Sequence, residues 1–192
     1  MTGTVWAGHR RNIPFRAVNL PGLPGYDAEM QRHHLLPRQL LGKPCFEPLL
    51  RVIGCDTIGY HDFRANGLLL PGSDSAALRF GLPLHCGPHR AYNAMVMERV
   101  GQIERYWSRT RWNRPRDARH EAIFRLRLLQ RGLRRRLLDP VRAPLALNRR
   151  QLVSPRCDFA DLDAMADFLW AGSEPLQALD GVSRRASSSL AS

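Results

Sequence analysis

Lysine is almost missing from this 192-residue chain: Lys43 stands alone among 29 basic residues, the other 28 being arginine. So uniform a choice belongs to the whole sequence, and no single arginine can be read as preferred over lysine for bidentate phosphate contacts. Long apolar runs are also missing. Nothing approaches the roughly 18 consecutive apolar residues of a membrane-spanning helix. Residues 1–30 hold Arg10, Arg11, Pro14 and Arg16, with no continuous apolar stretch of secretory length. These absences lead to the expectation of a protein with no membrane partner, cytoplasmic or exported by a specialised secretion system without a cleavable signal. The four cysteines, Cys45, Cys55, Cys86 and Cys157, form no C-x-x-C pair, which excludes a zinc ribbon and a disulfide scaffold. Cys86 stands between two histidines, yet a small buried thiol is the expected role. No internal repeat is present.

What is abundant is positive charge, in one place. The formal net charge is +12, and residues 105–150 carry all of that excess, with 15 arginines against Asp117, Glu121 and Asp139. The flanking segments nearly cancel, at +3 before and −3 after. A block of this kind points to a polyanionic partner such as nucleic acid. It fits equally a solvated helical face, or a surface that binds a partner protein.

Breakers and periodicity divide the chain. Residues 1–26, with Pro14, Pro21, Gly22, Pro24 and Gly25, read as an irregular arm. Leu35-Leu36 suggests a short strand, and Glu47 to Ile53 a short helix stopped at Gly54. Asn66-Gly67 is a strong turn dipeptide, followed by a compact strand at Leu68-Leu69-Leu70 before Pro71-Gly72. A helix is expected from near Pro88, where no amide hydrogen is needed; Tyr92, Met95, Val96, Val100 and Ile103 form its apolar face. A second helix is expected from Asp117 to Leu138, with Ile123, Leu126, Leu129, Leu133 and Leu137 as its stripe and arginines crowding the rest. A third, acidic helix is expected over Asp158–Trp170, before a disordered terminal tail. The domain division is therefore an arm at 1–26, a main domain at 27–150 (core 32–105, Arg-rich helical extension 106–150), and an acidic helix with tail at 151–192.

Five of the seven histidines fall between residues 33 and 89: His33, His34, His61, His85 and His89. His85 and His89 lie four apart, a spacing that on a helix aims two rings to one side, as two ligands of one ion require. His33 and His34, adjacent on a strand, must face opposite ways, so one can bind metal while its neighbour does something else. His61 reads as a plain loop histidine, Tyr92 as core, and His9 and His120 carry no functional reading. The order His-His, Asn, His-x-x-x-His, with strand–strand–helix punctuation, is more specific than either pair alone.

In Arg32-His33-His34-Leu35-Leu36-Pro37, Asn66-Gly67-Leu68-Leu69-Leu70-Pro71 and Leu84-His85-Cys86-Gly87-Pro88-His89-Arg90-Ala91-Tyr92-Asn93, the chain resembles the HNH/endonuclease VII superfamily, and most closely its AHH branch. The resemblance covers about residues 30–105. It implies an α+β, mainly helical fold with a ββα-metal (His-Me finger) core, additional helices and an Arg-rich C-terminal helix. It also implies an endonuclease hydrolysing DNA in preference to RNA, using one divalent cation (Zn, Mg, Mn or Ni). His33, His85 and His89 would be the metal ligands, His34 the general base, and Asn66 the residue that holds the loop and the His34 ring. A toxin-effector role with a cognate immunity protein belongs to the same resemblance. Two departures stand out: Arg32 takes the place of the alanine before the His pair, and the stretch from His34 to Asn66 is long.

The chemistry agrees with this assignment. Phosphodiester hydrolysis needs an activated water, charge neutralisation at phosphorus and help for the leaving oxygen. A neutral imidazole titrates near the working range and can take the water's proton. Three neutral ligands leave a divalent ion its full charge and open positions. Arg90, beside His89, is a candidate clamp for a neighbouring phosphate. The rival reading is a non-catalytic nucleic-acid-binding protein whose ββα-metal site is structural or inactive.

Overall fold

A computed structural model describes residues 11–139 and Leu147. The acidic helix expected over 158–170, the tail, His9 and Cys157 lie outside the described residues. No helix among the described residues is long and apolar enough to cross a membrane.

Two antiparallel strands, β1 (Met30–His34) and β2 (Gly67–Pro71), pair so that His33 lies opposite Leu68 and His34 opposite Gly67. The first strand thus carries the His pair and ends with it; Leu35-Leu36, expected as the strand, forms the bend that leaves it. The apolar pair signals burial rather than extension: Leu35 and Leu36 are fully enclosed. Their amides are taken by Asn66, Leu35 N–H by its backbone carbonyl and Leu36 N–H by its side-chain Oδ1, each at 2.8 Å.

The long connection between the strands packs as two short helices and their turns. Helix α1 (Glu47–Ile53) has the expected bounds and buries Leu49, Leu50 and Ile53. It ends where Gly54 adopts φ +79°, a conformation a side chain would resist. Helix α2 (Phe63–Asn66) is a single turn capped by the Asp62 carboxylate on the Arg64 amide. Asn66-Gly67 is not the free turn expected from the dipeptide. Asn66 closes α2 and Gly67 opens β2 at φ −114°. Glycine is needed there because any Cβ would run into the ring of Phe63. Helix α3 (Asp74–Phe80), unforeseen in the sequence, follows β2 with Ser73 as N-cap and Gly81 left-handed at its end.

The remaining two helices make a hairpin. Helix α4 (Arg90–Thr110) buries the expected face, Tyr92, Met95, Val96, Val100 and Ile103, and extends it to Trp107. It begins two residues beyond Pro88, with His89 as N-cap. Helix α5 (Pro115–Leu138) starts at a proline that needs no amide partner, and buries Ile123, Leu126, Leu133 and Leu137. Arg125 is itself buried, paired with Glu121 at 2.6 Å and lying over the Tyr106 ring of α4.

The arginines of α5 serve a purpose that charge counting could not separate from phosphate tracking or a solvated face. Arg119 donates to the carbonyls of Val52 and Ile53 at the end of α1, at 3.1 and 3.2 Å. Arg127 donates to Thr57 O at 2.5 Å, and Arg134 to Arg64 O and Gly67 O at 2.6 and 2.7 Å. These carbonyls include the helix-end acceptors that α1 and α2 cannot satisfy internally. Arg119, Arg127 and Arg134 lie within one narrow arc of α5, so a single arginine face caps both short helices. Arg131 and Arg135, off that arc, are exposed.

Candidate active site

Strand alternation sends the two adjacent histidines apart, as expected. His33 points into the molecule and is 2% exposed, whereas His34 is half-buried on the opposite side. His85 follows β2, its amide bonded to Pro71 O at 2.7 Å. His89 sits at the mouth of α4. The segment 85–89 is not helical, so the four-residue spacing brings the rings together for a different reason from the one expected. The chain reverses at Gly87, φ +79°, and the two imidazoles meet with centroids 4.6 Å apart. The His33 ring lies edge-on to both, at 4.9 and 5.3 Å. The ligating atoms of His33, His85 and His89 all fall within 4.8 Å of one another. Three imidazoles so arranged could coordinate one divalent cation.

The hydrogen bonds around these rings fit that use. His85 Nδ1 faces Gln31 Oε1 at 3.2 Å, and His89 Nδ1 faces the buried Leu147 carbonyl at 3.3 Å. Both partners accept, so both Nδ1 atoms carry the proton and each Nε2 is left with a lone pair. His33 is buried with neither ring nitrogen hydrogen-bonded, an arrangement that costs free energy unless something binds there. Burial, then the neighbouring imidazoles, pushes His33 down to about 2. Burial, then His89, pushes His85 down to about 4. His33 and His85 therefore stay neutral near pH 7, as metal ligands must be. Cys86 is exposed, not the buried thiol expected, and it is not among the ligating cluster.

His34 shares a cavity of about 240 Å³ with this cluster, lined by Arg32, His33, Pro37, Arg38, Gln39, His85, His89 and Asn93. Burial first, then the charges of Arg38 and His61, lowers His34 to about 4. It is an unprotonated base at neutral pH. Asn66 is fully buried and serves the loop after the His pair: Oδ1 accepts from Leu36 N–H, while Nδ2 donates to Leu36 O at 3.3 Å and Tyr60 O at 3.0 Å. Tyr92 packs edge-on to His33 at 4.9 Å and donates its hydroxyl to Leu35 O at 2.8 Å, which agrees with a core role. Tyr60 does the same for Pro37 O at 2.7 Å.

Arg90, the candidate phosphate clamp, is exposed at the start of α4 and does not line the cavity; Arg32 and Arg38 do. Sequence reasoning passed over Arg38, although it stands four residues after His34. It also passed over Gln31, which the two-residue strand period places on the same face as His33. Gln130 and Phe15 carried no local signal, because their partners are distant in the chain.

An antiparallel hairpin, a helix and histidines converging between them make a ββα-metal core of the His-Me finger type with extra helices, the mixed fold expected. A family model described as a nuclease family of the HNH/endonuclease VII superfamily with conserved AHH matches residues 15–133. The chain belongs to this family, which makes it a metal-dependent nuclease, a phosphodiester hydrolase acting on nucleic acid. No curated protein and no solved structure matches it.

Proposed function

We propose that the chain is an endonuclease in which His33, His85 and His89 hold one divalent cation and His34 is the general base. One observation carries this reading: His33 is buried with both ring nitrogens unpartnered, its ring against two histidines whose Nδ1 atoms are already committed. A cation bound there supplies Lewis-acid stabilisation to the phosphoryl oxygens and the leaving group. His34, neutral at pH 7, accepts the proton of the attacking water on a ring nitrogen, a contribution of about 10²–10⁴ in rate. Asn66 holds the backbone that leaves the His pair, and so the direction of the His34 ring. Arg32 and Arg38, at the cavity wall, are placed to contact phosphate oxygens. Arg90 stands as a more peripheral candidate for the same task.

DNA as substrate in preference to RNA, a toxin-effector role and a cognate immunity protein belong to this reading through the family alone. So does the choice among zinc, magnesium, manganese and nickel. We also retain residues 27–150 as the nuclease domain, flanked by an arm and an acidic tail.

The test uses the purified chain with plasmid DNA and with RNA, in each of the four metals. Cleavage by the wild type, lost in His34→Ala while bound metal and nucleic-acid binding persist, supports catalysis by this base. Intact substrate under every condition would favour the non-catalytic binding protein.

A further inference from the structure

His34 does not stand free in its cavity. The ring of Phe15 lies flat against it, with centroids 3.7 Å apart and planes within 2°. This is van der Waals contact over the whole imidazole face. Phe15 is itself braced, because Phe63 meets it edge-on at 5.2 Å and 76°. Phe63 in turn occupies the space that Gly67 keeps clear, and Gly67 is the strand partner of His34. The run Gly67, Phe63, Phe15, His34 closes on itself around the base.

The backbone that delivers Phe15 is fastened at several points. Ile13 N–H donates to Asp62 Oδ1 at 3.0 Å, and Phe63 N–H donates to Ile13 O at 2.8 Å. Arg32 donates to the carbonyl of Phe15 at 3.1 Å. Arg32 occupies the position of the alanine in the family's AHH pattern, where a methyl group could not make that bond.

We propose that Phe15 is a positioning residue for His34: its ring, backed by Phe63 and tethered through Arg32, fixes the plane in which the imidazole presents its nitrogens. The inference rests on His34 being the general base. A flat stack resists rotation of the ring about its bond to Cβ, because turning the imidazole would drive its edge into the phenyl face. It also keeps water from that face, leaving the ring edge as the route to the reacting water. A base so held is in place before substrate arrives, and misplacement by about 1 Å can cost as much as 100-fold in rate.

The test compares Phe15→Leu, which keeps apolar volume without a ring, with Phe15→Tyr, which keeps the ring. In zinc-loaded wild type the His34 ring protons resonate upfield, shifted by the phenyl ring current. Phe15→Leu removes that shift and Phe15→Tyr retains it. In the metal that supports wild-type cleavage, Phe15→Leu lowers kcat by about 10- to 100-fold, with KM, bound metal and melting temperature little changed, and Phe15→Tyr recovers most of the loss. A Phe15→Leu protein with wild-type kcat overturns the proposal. So does a loss that tracks lower melting or metal content, or one that Phe15→Tyr leaves unrepaired. Failure of the underlying reading is distinguishable: the wild type then cleaves nothing, or His34→Ala still cleaves, and this proposal falls with it.

Discussion

Gln130 of α5 reaches Asn66 and, through it, the bend after the His pair: its Nε2 donates to Asn66 Oδ1 at 3.2 Å, and both side chains are buried. The same oxygen accepts the Leu36 amide, so the second long helix and the bend after the His pair share one acceptor. The helix hairpin is thereby coupled to the geometry of His33 and His34.

Replacing Asn66 should expose that coupling. Asn66→Ala strands Leu36 N–H, Leu36 O, Tyr60 O and the Gln130 amide in a dry interior, each unpaired group costing about 1–3 kcal/mol before relaxation. A loss of several kcal/mol in denaturant unfolding is expected, together with a fall in cleavage. Gln130→Leu removes one shared donor and should cost about 1 kcal/mol. Equal stability of Asn66→Ala and wild type would show that Asn66 is not holding the loop.

Metal removal should read out as stability. A ligand set that forms only in the folded chain adds RT ln(1 + [L]/Kd), about 2.7 kcal/mol at 100 times Kd. Chelation should therefore lower the melting temperature, and zinc or nickel should restore it. His33→Ala should bind little metal by elemental measurement and show no such response. A His33→Ala protein that melts with the same metal dependence as wild type would remove His33 from the ligand set.

The chelated protein should also weaken in acid. His33 and His85 are pushed to about 2 and about 4 in the fold, from an ordinary value of 6.5. Below about pH 6.5 the unfolded chain takes up protons that the folded chain refuses, so the sign is a loss of stability as pH falls. Stability is full above that value and declines towards pH 4. Melting of chelated wild type at pH 7.5, 6 and 5 should fall progressively, and more steeply than that of His33→Leu. Parallel slopes would mean that burial of His33 does not carry the effect.

Much of this site was legible in the sequence, because its chemistry depends on residue types that are scarce. Five histidines within 57 positions, with Asn66 between the pairs, left few alternatives, and the apolar spacing from Tyr92 to Ile103 located α4. What escaped depended on contacts rather than composition. Leu35-Leu36 marked burial, which a bend satisfies as well as a strand. His85 and His89 have helical spacing, but it is the turn at Gly87 that joins them. Helix α3 buries only Ala76 and so offered no stripe. Phe15 looked like part of an arm, since nothing local reveals a partner at His34.

The arginines of α5 give the sharpest division. Guanidinium donors are satisfied equally by phosphate and by carbonyl oxygen, and the carbonyls concerned lie 66 to 70 residues away in sequence. Arg119 and Arg134 are structural by their bonds, whereas Arg131 and Arg135 are exposed. Arg119→Gln and Arg134→Gln should each destabilise the fold by about 1–3 kcal/mol, the cost of leaving partly buried carbonyls unpaired. Arg131→Gln and Arg135→Gln should fall within about 0.5 kcal/mol of wild type. Nucleic-acid affinity should separate the same residues in the opposite sense: any loss of salt dependence, about one phosphate per charge removed, should follow Arg131 and Arg135. Denaturant melts and salt titrations of the four variants would decide it. If Arg134→Gln kept full stability but lost the salt dependence, the helix would be a phosphate-tracking surface instead of a brace.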